Sequence, residues 1–311
     1  MLTKKIKYQG GITKKITSLL GVKNKNKFRD LLTSSGLDDL LTTIMQVNSL
    51  KIKIELVSFS SFQDFPEQIL SILSFLRYAG EPVKWTIYSD GTHSKEQIEL
   101  VEMKFKFVQL VLIRLSDVTE LPDLYDVRLT EFTKELLHYS KTKHLGKKVF
   151  FYLNHPITIP TIFLDSDILF YSGFKKGIKL ISTEEANGWF LPDTNWGCLD
   201  SRYLATHEEQ VYQVNGGFYI ANKSIDNIEQ ALSFLRSLDF TYEYFTDQTI
   251  MHIYCKENKF SPLDSRMFII NTDDQFDFSY RFKPNEIAIR HYTGPVRHKM
   301  WQKSFRWHLG I

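Results

Sequence analysis

Two aspartates, Asp165 and Asp167, stand inside the otherwise apolar run 161–170, TIFLDSDILF. Successive side chains of a strand alternate faces, so residues two apart look the same way, and these two carboxylates are expected to converge on one point. Two like charges that close at the edge of an apolar core repel one another and lose hydration, which a cation or a basic partner must offset. Carboxylate oxygens suit a hard divalent ion, Mg²⁺ or Mn²⁺. An isolated Asp-x-Asp is equally the solvated end of a strand, so its meaning depends on its company.

Three other stretches supply that company. Residues 213–221, QVNGGFYIA, put Asn215 and two glycines at the head of a β-prone run, where a backbone without Cβ lets a ligand approach. Residues 245–252, FTDQTIMH, set Asp247 and Gln248 at the start of an amphipathic helix, a place where an Asp commonly serves as a cap or dipole partner. Residues 287–301, IAIRHYTGPVRHKMW, read as a strand ending at His291, a Gly294-Pro295 turn and a basic cluster with Trp301. There Arg297 and Lys299 would grip a diphosphate through charge-assisted hydrogen bonds, and His291 would offer a nitrogen to the metal.

The elements that must position these groups alternate. Residues 28–47 carry apolar positions at helical spacing, 51–59 reads as a strand, 66–78 as an amphipathic helix, and 83–89 as a strand ending in the Asp90-Gly91 turn. A helical stretch at 94–104, an apolar run at 107–113 and a long helix around 130–144 precede the strand with the two aspartates. Alternating strands and helices imply an α/β fold with a mostly parallel sheet, helices on both faces, and ligands beyond the carboxyl ends of the strands.

Composition sets ordinary bounds. The 311 residues are 43% hydrophobic, enough for a sizeable core. Two cysteines, Cys198 and Cys255, are too few for a disulfide framework or a zinc site and fit a reducing compartment, the cytoplasm. The run 149–164 contains Asn154, His155, Pro156 and Pro160 and is shorter than the roughly 20 apolar residues of a membrane span. The N-terminal lysines lack an adequate apolar stretch behind them, so no secretory signal is expected. The net charge of +3 conceals an asymmetry: residues 1–29 hold nine Lys/Arg and no Asp/Glu, leaving −6 for the remainder. Such an arm is either a solvated lead-in or a peripheral contact with the inner face of a membrane, at about 1 kcal/mol per basic residue. No RNA-binding motif or zinc-finger spacing accompanies it, so nucleic acid is not an expected partner.

Taken in order, the motifs resemble those of the nucleotide-sugar-dependent glycosyltransferases of GT-A fold, especially the retaining family eight of glycogenin and the bacterial lipopolysaccharide galactosyltransferases. That family reads Leu-Asp-x-Asp after a strand, Asn-x-Gly before a strand, Asp-Gln opening a helix, then His-x-x-Gly-x-x-Lys-Pro-Trp. The matching residues are Leu164-Asp165-Ser166-Asp167, Asn215-Gly216-Gly217, Asp247-Gln248 and His291-Tyr292-Thr293-Gly294-Pro295-Val296-Arg297. Arg297 stands for the family's lysine, His298 for its proline, and Trp301 comes two residues late. Lys148, with Lys147 beside it, occupies the place of a donor-binding arginine, keeping the charge but losing the bidentate fork.

The resemblance implies a metal-dependent hexosyltransferase using a UDP-sugar, with retention of configuration and an unidentified glycan, lipid-linked or protein acceptor. Asp165, Asp167 and His291 would hold Mn²⁺ or Mg²⁺, with Asp165 also facing the ribose. Lys148, Arg297 or Lys299, and the Gly294 loop would meet the diphosphate, Asp90 and the strand ends near 58–62 the base, and Asp247, Gln248 and Asn215 the reacting face of the donor sugar. Residues 1–48 would form a basic helical extension and 49–311 one GT-A domain, with a nucleotide-binding half, 49–172, and an acceptor half, 173–311. Acceptor loops are expected at 172–214 and in the C-terminal segment. Two alternatives remain: a non-catalytic nucleotide-sugar-binding or scaffold protein on this fold, and a sugar-phosphate nucleotidyltransferase. The latter wants a glycine-rich basic loop after its first strand, where this chain has SFSSFQDF at 58–65.

Overall fold

The computed structural model describes residues 11–112, 126–181, 186–193, 197–207 and 213–311. In chain order these hold α1 (Gly11–Leu32), α2 (Gly36–Val47), β1 (Lys51–Ser60), α3 (Phe65–Tyr78), β2 (Glu81–Ser89), α4 (Lys95–Lys104) and β3 (Val108–Val111). After a 3₁₀ turn at Val127–Phe132 come α5 (Thr133–Thr142), α6 (His144–Asn154), β4 (Thr161–Asp165), β5 (Ile168–Phe170), α7 (Phe174–Ile181) and β6 (Gly188–Pro192). The chain continues through α8 (Ser201–Leu204), β7 (Val214–Ala221), α9 (Glu229–Ser237), α10 (Thr246–Glu257), β8 (Ser261–Pro262), β9 (Phe268–Ile269), β10 (Ile289–His291), α11 (Arg297–Met300) and α12 (Phe305–Leu309).

Seven strands form one sheet in the order β3-β2-β1-β4-β7-β6-β8. β3, β2, β1 and β4 run parallel, as the alternating sequence pattern requires, and β7 enters antiparallel between β4 and β6. Strands covered on both faces read as near-continuous apolar runs, and the period of two divides their side chains between two cores. Leu56, Ile162, Leu164, Phe218 and Ile220 face the layer of α2 and α3, while Val57, Phe163 and Tyr219 face that of α5, α6, α9 and α10.

The run 161–170 is not one strand. β4 ends at Asp165, the chain turns through Ser166 and Asp167, and β5 joins a second, three-stranded sheet in the order β5-β10-β9. The aspartates therefore converge because a turn carries them from one sheet to another, not through alternation along a single strand. Two helices also break where periodicity alone ran on. Residues 28–47 divide into α1 and α2 around Thr33–Ser35, and 130–144 divides among the 3₁₀ turn, α5 and the start of α6. Gly91 follows β2 at φ +101°, the turn expected there. Among the described residues, no helix is long and apolar enough to cross a membrane. Parts of the expected acceptor loops, 182–185, 194–196 and 208–212, lie outside the described residues, as do residues 1–10 of the basic arm and residue 113 of the apolar run.

Candidate functional site

Strand register brings the acidic turn and the histidine together. β10 pairs antiparallel with β5 so that His291 faces Ile168, and the amide of Tyr292 donates to the carbonyl of Asp167 at 3.0 Å. His291 Nε2 consequently lies 3.2 Å from Asp167 Oδ1 and 3.7 Å from Asp165 Oδ2. One ligand atom from each of the three residues falls within 4.8 Å of the others. Across β4 the pairing of Leu164 with Phe218 leaves Gly217 beside Asp165. A Cβ on Gly217 would come within 2.2 Å of His291 Cε1 and 2.8 Å of Asp165 Oδ2, so the space at this point exists only because the residue is glycine. Two carboxylates and an imidazole nitrogen around such a space form a donor set that fits Mn²⁺ or Mg²⁺.

Asn215 sets the histidine. Its Oδ1 accepts from the Gly217 amide at 3.0 Å and lies 3.0 Å from His291 Nδ1, while its Nδ2 donates to Asp193 Oδ2 at 3.1 Å and to Gln248 Oε1 at 3.3 Å. With both donors of the amide spent elsewhere, Oδ1 takes the Nδ1 proton and leaves Nε2 toward the carboxylates, the usual way an outer partner fixes a ligand's tautomer. Asn215 thus serves the histidine as well as the cleft wall, a role its sequence position did not suggest.

The basic groups are interleaved with the acids. Lys148, buried on α6, places Nζ 3.3 Å from Asp165 Oδ1 and 3.4 Å from Asp247 Oδ2. Burial disfavours its charge, but those two carboxylates outweigh burial and raise its pKa. Asp247 goes up despite this partner, because its own burial and the like charge of Asp165 exceed the pull of Lys148. It is not a helix cap, for Phe245 holds the cap position of α10 without a side-chain bond. Gln248 Nε2 donates to Asp193 Oδ2 at 3.2 Å and to the carbonyl of Cys198 at 2.8 Å. Burial raises the Asp167 carboxyl, yet Arg297 and His291 together hold it below the usual range.

Arg297 reaches over the cleft, with Nη2 3.1 Å from Asp167 Oδ2 and Nη1 3.2 Å from Asp64 Oδ1. Lys299 turns away: its buried amine donates to the carbonyls of Asp277 and Ser279, both at 2.7 Å. Arg297 and Gly294 line the cleft and Lys299 does not, which separates the two basic candidates. A Cβ on Gly294 would meet nothing within 4 Å, so space alone does not require glycine there. Asp90 is also outside the cleft wall. Its carboxylate accepts from the amide and hydroxyl of Thr92, and its carbonyl takes the amine of Lys147 at 2.6 Å. Trp301 is buried in the core, its indole donating to Glu67 at 2.7 Å.

These groups surround a cleft of about 740 Å³ beyond the carboxyl ends of β1 and β4. Its described charged lining comprises Asp64, Asp165, Asp167, Asp193 and Asp247 against Lys148 and Arg297, a formal balance of −3 with the histidines neutral. Asp64 and Asp193 were not singled out in the sequence, and neither belongs to a spaced motif. Phe59 and His144, with ring centroids 5.2 Å apart, line the cleft beside the end of β1, and Tyr244, Phe245 and Phe276 line it elsewhere.

No family model and no curated protein sequence matches the chain. Solved structures do. The bifunctional glycosyltransferase WbbM is 14% identical with a TM-score of 0.52 over 80% of this chain, which spans about half (48%) of that protein. Mouse xyloside xylosyltransferase 1 in its apo form is 12% identical with a TM-score of 0.50 over 79% of this chain and 99% of that one. The galactosyltransferase LgtC, solved with donor and acceptor sugar analogues, is 12% identical with a TM-score of 0.48 over 80% and 95%. The chain has the GT-A fold of glycosyltransferases.

Proposed function

We propose that this protein is a metal-dependent glycosyltransferase that moves a hexose from a UDP-sugar to a hydroxyl acceptor, with retention of anomeric configuration. The observation that carries the reading is the convergence of Asp165, Asp167 and His291 at the floor of a cleft whose described charged side chains sum to −3. A net negative cleft repels a nucleoside diphosphate unless a cation enters with it. Asp165, Asp167 and His291 would hold Mn²⁺ or Mg²⁺, and the bound ion would offset the charge that gathers on the β-phosphate as the anomeric bond breaks.

The chain's own side chains do the remainder. Arg297 exchanges its contacts with Asp64 and Asp167 for the diphosphate, adding preorganised positive charge where the leaving group forms. Lys148 keeps Asp165 and Asp247 from repelling one another and holds the cleft floor in place. Phe59 and His144 receive the base. Asp247 and Gln248, fixed through Lys148 and Asp193, face the donor sugar on the side from which the acceptor hydroxyl attacks. A panel of nucleotide sugars with Mn²⁺, scored for thermal stabilisation and slow donor hydrolysis, tests the reading. One UDP-hexose is expected to stabilise the fold and be hydrolysed, and a panel without stabilisation or hydrolysis by any member refutes it.

A further inference from the structure

Helix α1 is clamped to the body by one face. Gly21 sits so close to the chain after α11 that a Cβ there would lie 3.2 Å from Trp301 Cβ. Asn24 Nδ2 donates to the carbonyl of Trp301 at 2.9 Å, Lys25 pairs with buried Glu67 at 2.5 Å, and the Phe28 ring packs 5.5 Å from Trp301 and 5.2 Å from Phe305. The opposite face is bare, and apolar along its first half, residues 12–22. Ile12 and Leu19 are 73% exposed, Val22 56%, Leu20 55% and Ile16 42%. With 3.6 residues per turn, Ile12, Ile16, Leu19 and Leu20 form one stripe along the helix. Lys15, Lys23 and Lys27 are exposed on the same side, and the single acidic residue of α1, Asp30, comes only at its last turn.

We propose that this face of α1 is a docking surface for an anionic lipid bilayer, with the helix lying in the plane of the headgroups. On this face apolar side chains would enter the acyl boundary while the neighbouring lysines snorkel to the phosphates. Charge selects the occupant. Residues 1–29 carry nine basic side chains and no acidic one, whereas the rest of the chain is net negative, so this region is drawn to an acidic surface. A second copy pairing symmetrically through this face would bring Lys15, Lys23 and Lys27 against or near their own counterparts. The clamp also makes the contact directional. α1 backs onto the segment of α11, whose Arg297 reaches the cleft, so docking holds that rim in a fixed relation to the membrane. The inference rests on α1 and is independent of what the cleft binds.

Cosedimentation of the full chain with vesicles tests it. Vesicles with about one quarter phosphatidylglycerol are expected to bind at least about tenfold more protein than pure phosphatidylcholine. That binding should weaken in about 0.5 M salt, where charges are screened within a few ångströms. Leu19→Glu should lower it at least about tenfold. Lys15→Gln, Lys23→Gln and Lys27→Gln combined should lower it about a hundredfold, at about fivefold per basic residue. Both variants alter exposed positions and should keep the parent melting temperature. Equal binding to neutral and anionic vesicles, or unchanged binding by folded variants, overturns the proposal. So does a soluble dimer that Leu19→Glu dissociates while no vesicle binds, which assigns the face to a second copy.

Discussion

Gly217→Ala adds one methyl group at the point where the two sheets meet. The new Cβ would stand 2.2 Å from His291 Cε1, about 1.3 Å short of an ordinary carbon contact of roughly 3.5 Å. His291 is held by strand pairing and by Asn215, so the ring or the β7 backbone must shift by about that amount. Metal sites tolerate displacements of only about 0.2 Å in ligand distance, so Mn²⁺ affinity is expected to fall by at least about 10- to 100-fold, the loss typical when a ligand's support is removed. The overpacking itself should lower stability by about 1–3 kcal/mol. Calorimetric titration of Mn²⁺ in the presence of UDP, with melting temperatures in parallel, measures both. Gly216→Ala is the control, because its Cβ would meet nothing closer than Gln248 Cα at 3.6 Å, and it should bind as the parent does. A folded Gly217→Ala protein with parental Mn²⁺ affinity would refute the reasoning.

Arg297→Ala and Lys299→Ala should separate cleanly. The first is expected to cut donor hydrolysis by more than about tenfold with little change in melting temperature, and the second to cost about 3 kcal/mol of stability through two lost charged hydrogen bonds; the reverse pattern would contradict the assignment. Asp274→Ala strands the fully buried Arg290, whose guanidinium is paired at 2.6 Å, and should destabilise the fold by about 3–5 kcal/mol in urea titration. His308 is buried between the Tyr171 hydroxyl at 2.8 Å and the Met300 carbonyl at 2.7 Å, and burial pushes its pKa down to about 3. Its folded pKa lies below the unfolded one of about 6.5, so its stabilisation is complete above that pH and is lost as pH falls toward 3. His308→Gln should flatten the acid side of the melting-temperature profile, and an unchanged profile would count against it.

Much of the fold was legible because its signals are local. The strand runs of β1 and β2, the helical spacing of α3 and the Ser94 start of α4 each follow from neighbouring residues alone, and Ser94 indeed forms a capping box with Gln97. The acidic pair was found for an incomplete reason, since side-chain alternation cannot reveal that the chain changes sheets between Asp165 and Ile168. The separation of Arg297 from Lys299 depends on which way a four-residue helix faces, a matter of packing against 277–279 that spacing does not encode. Asp64 and Asp193 were missed because each is a single acid after a strand or in a loop, with a role fixed only by partners far off in sequence.

The central claim is that the cleft accepts a nucleoside diphosphate only together with a divalent cation. Calorimetric titration of UDP into the full chain, once in Mn²⁺ and once in EDTA, addresses it directly. Binding is expected in Mn²⁺, with a gain of about 2.7 kcal/mol in stability at about 100 times the dissociation constant, and none is expected in EDTA or for Asp167→Ala. Equal UDP affinity in both buffers would contradict the account.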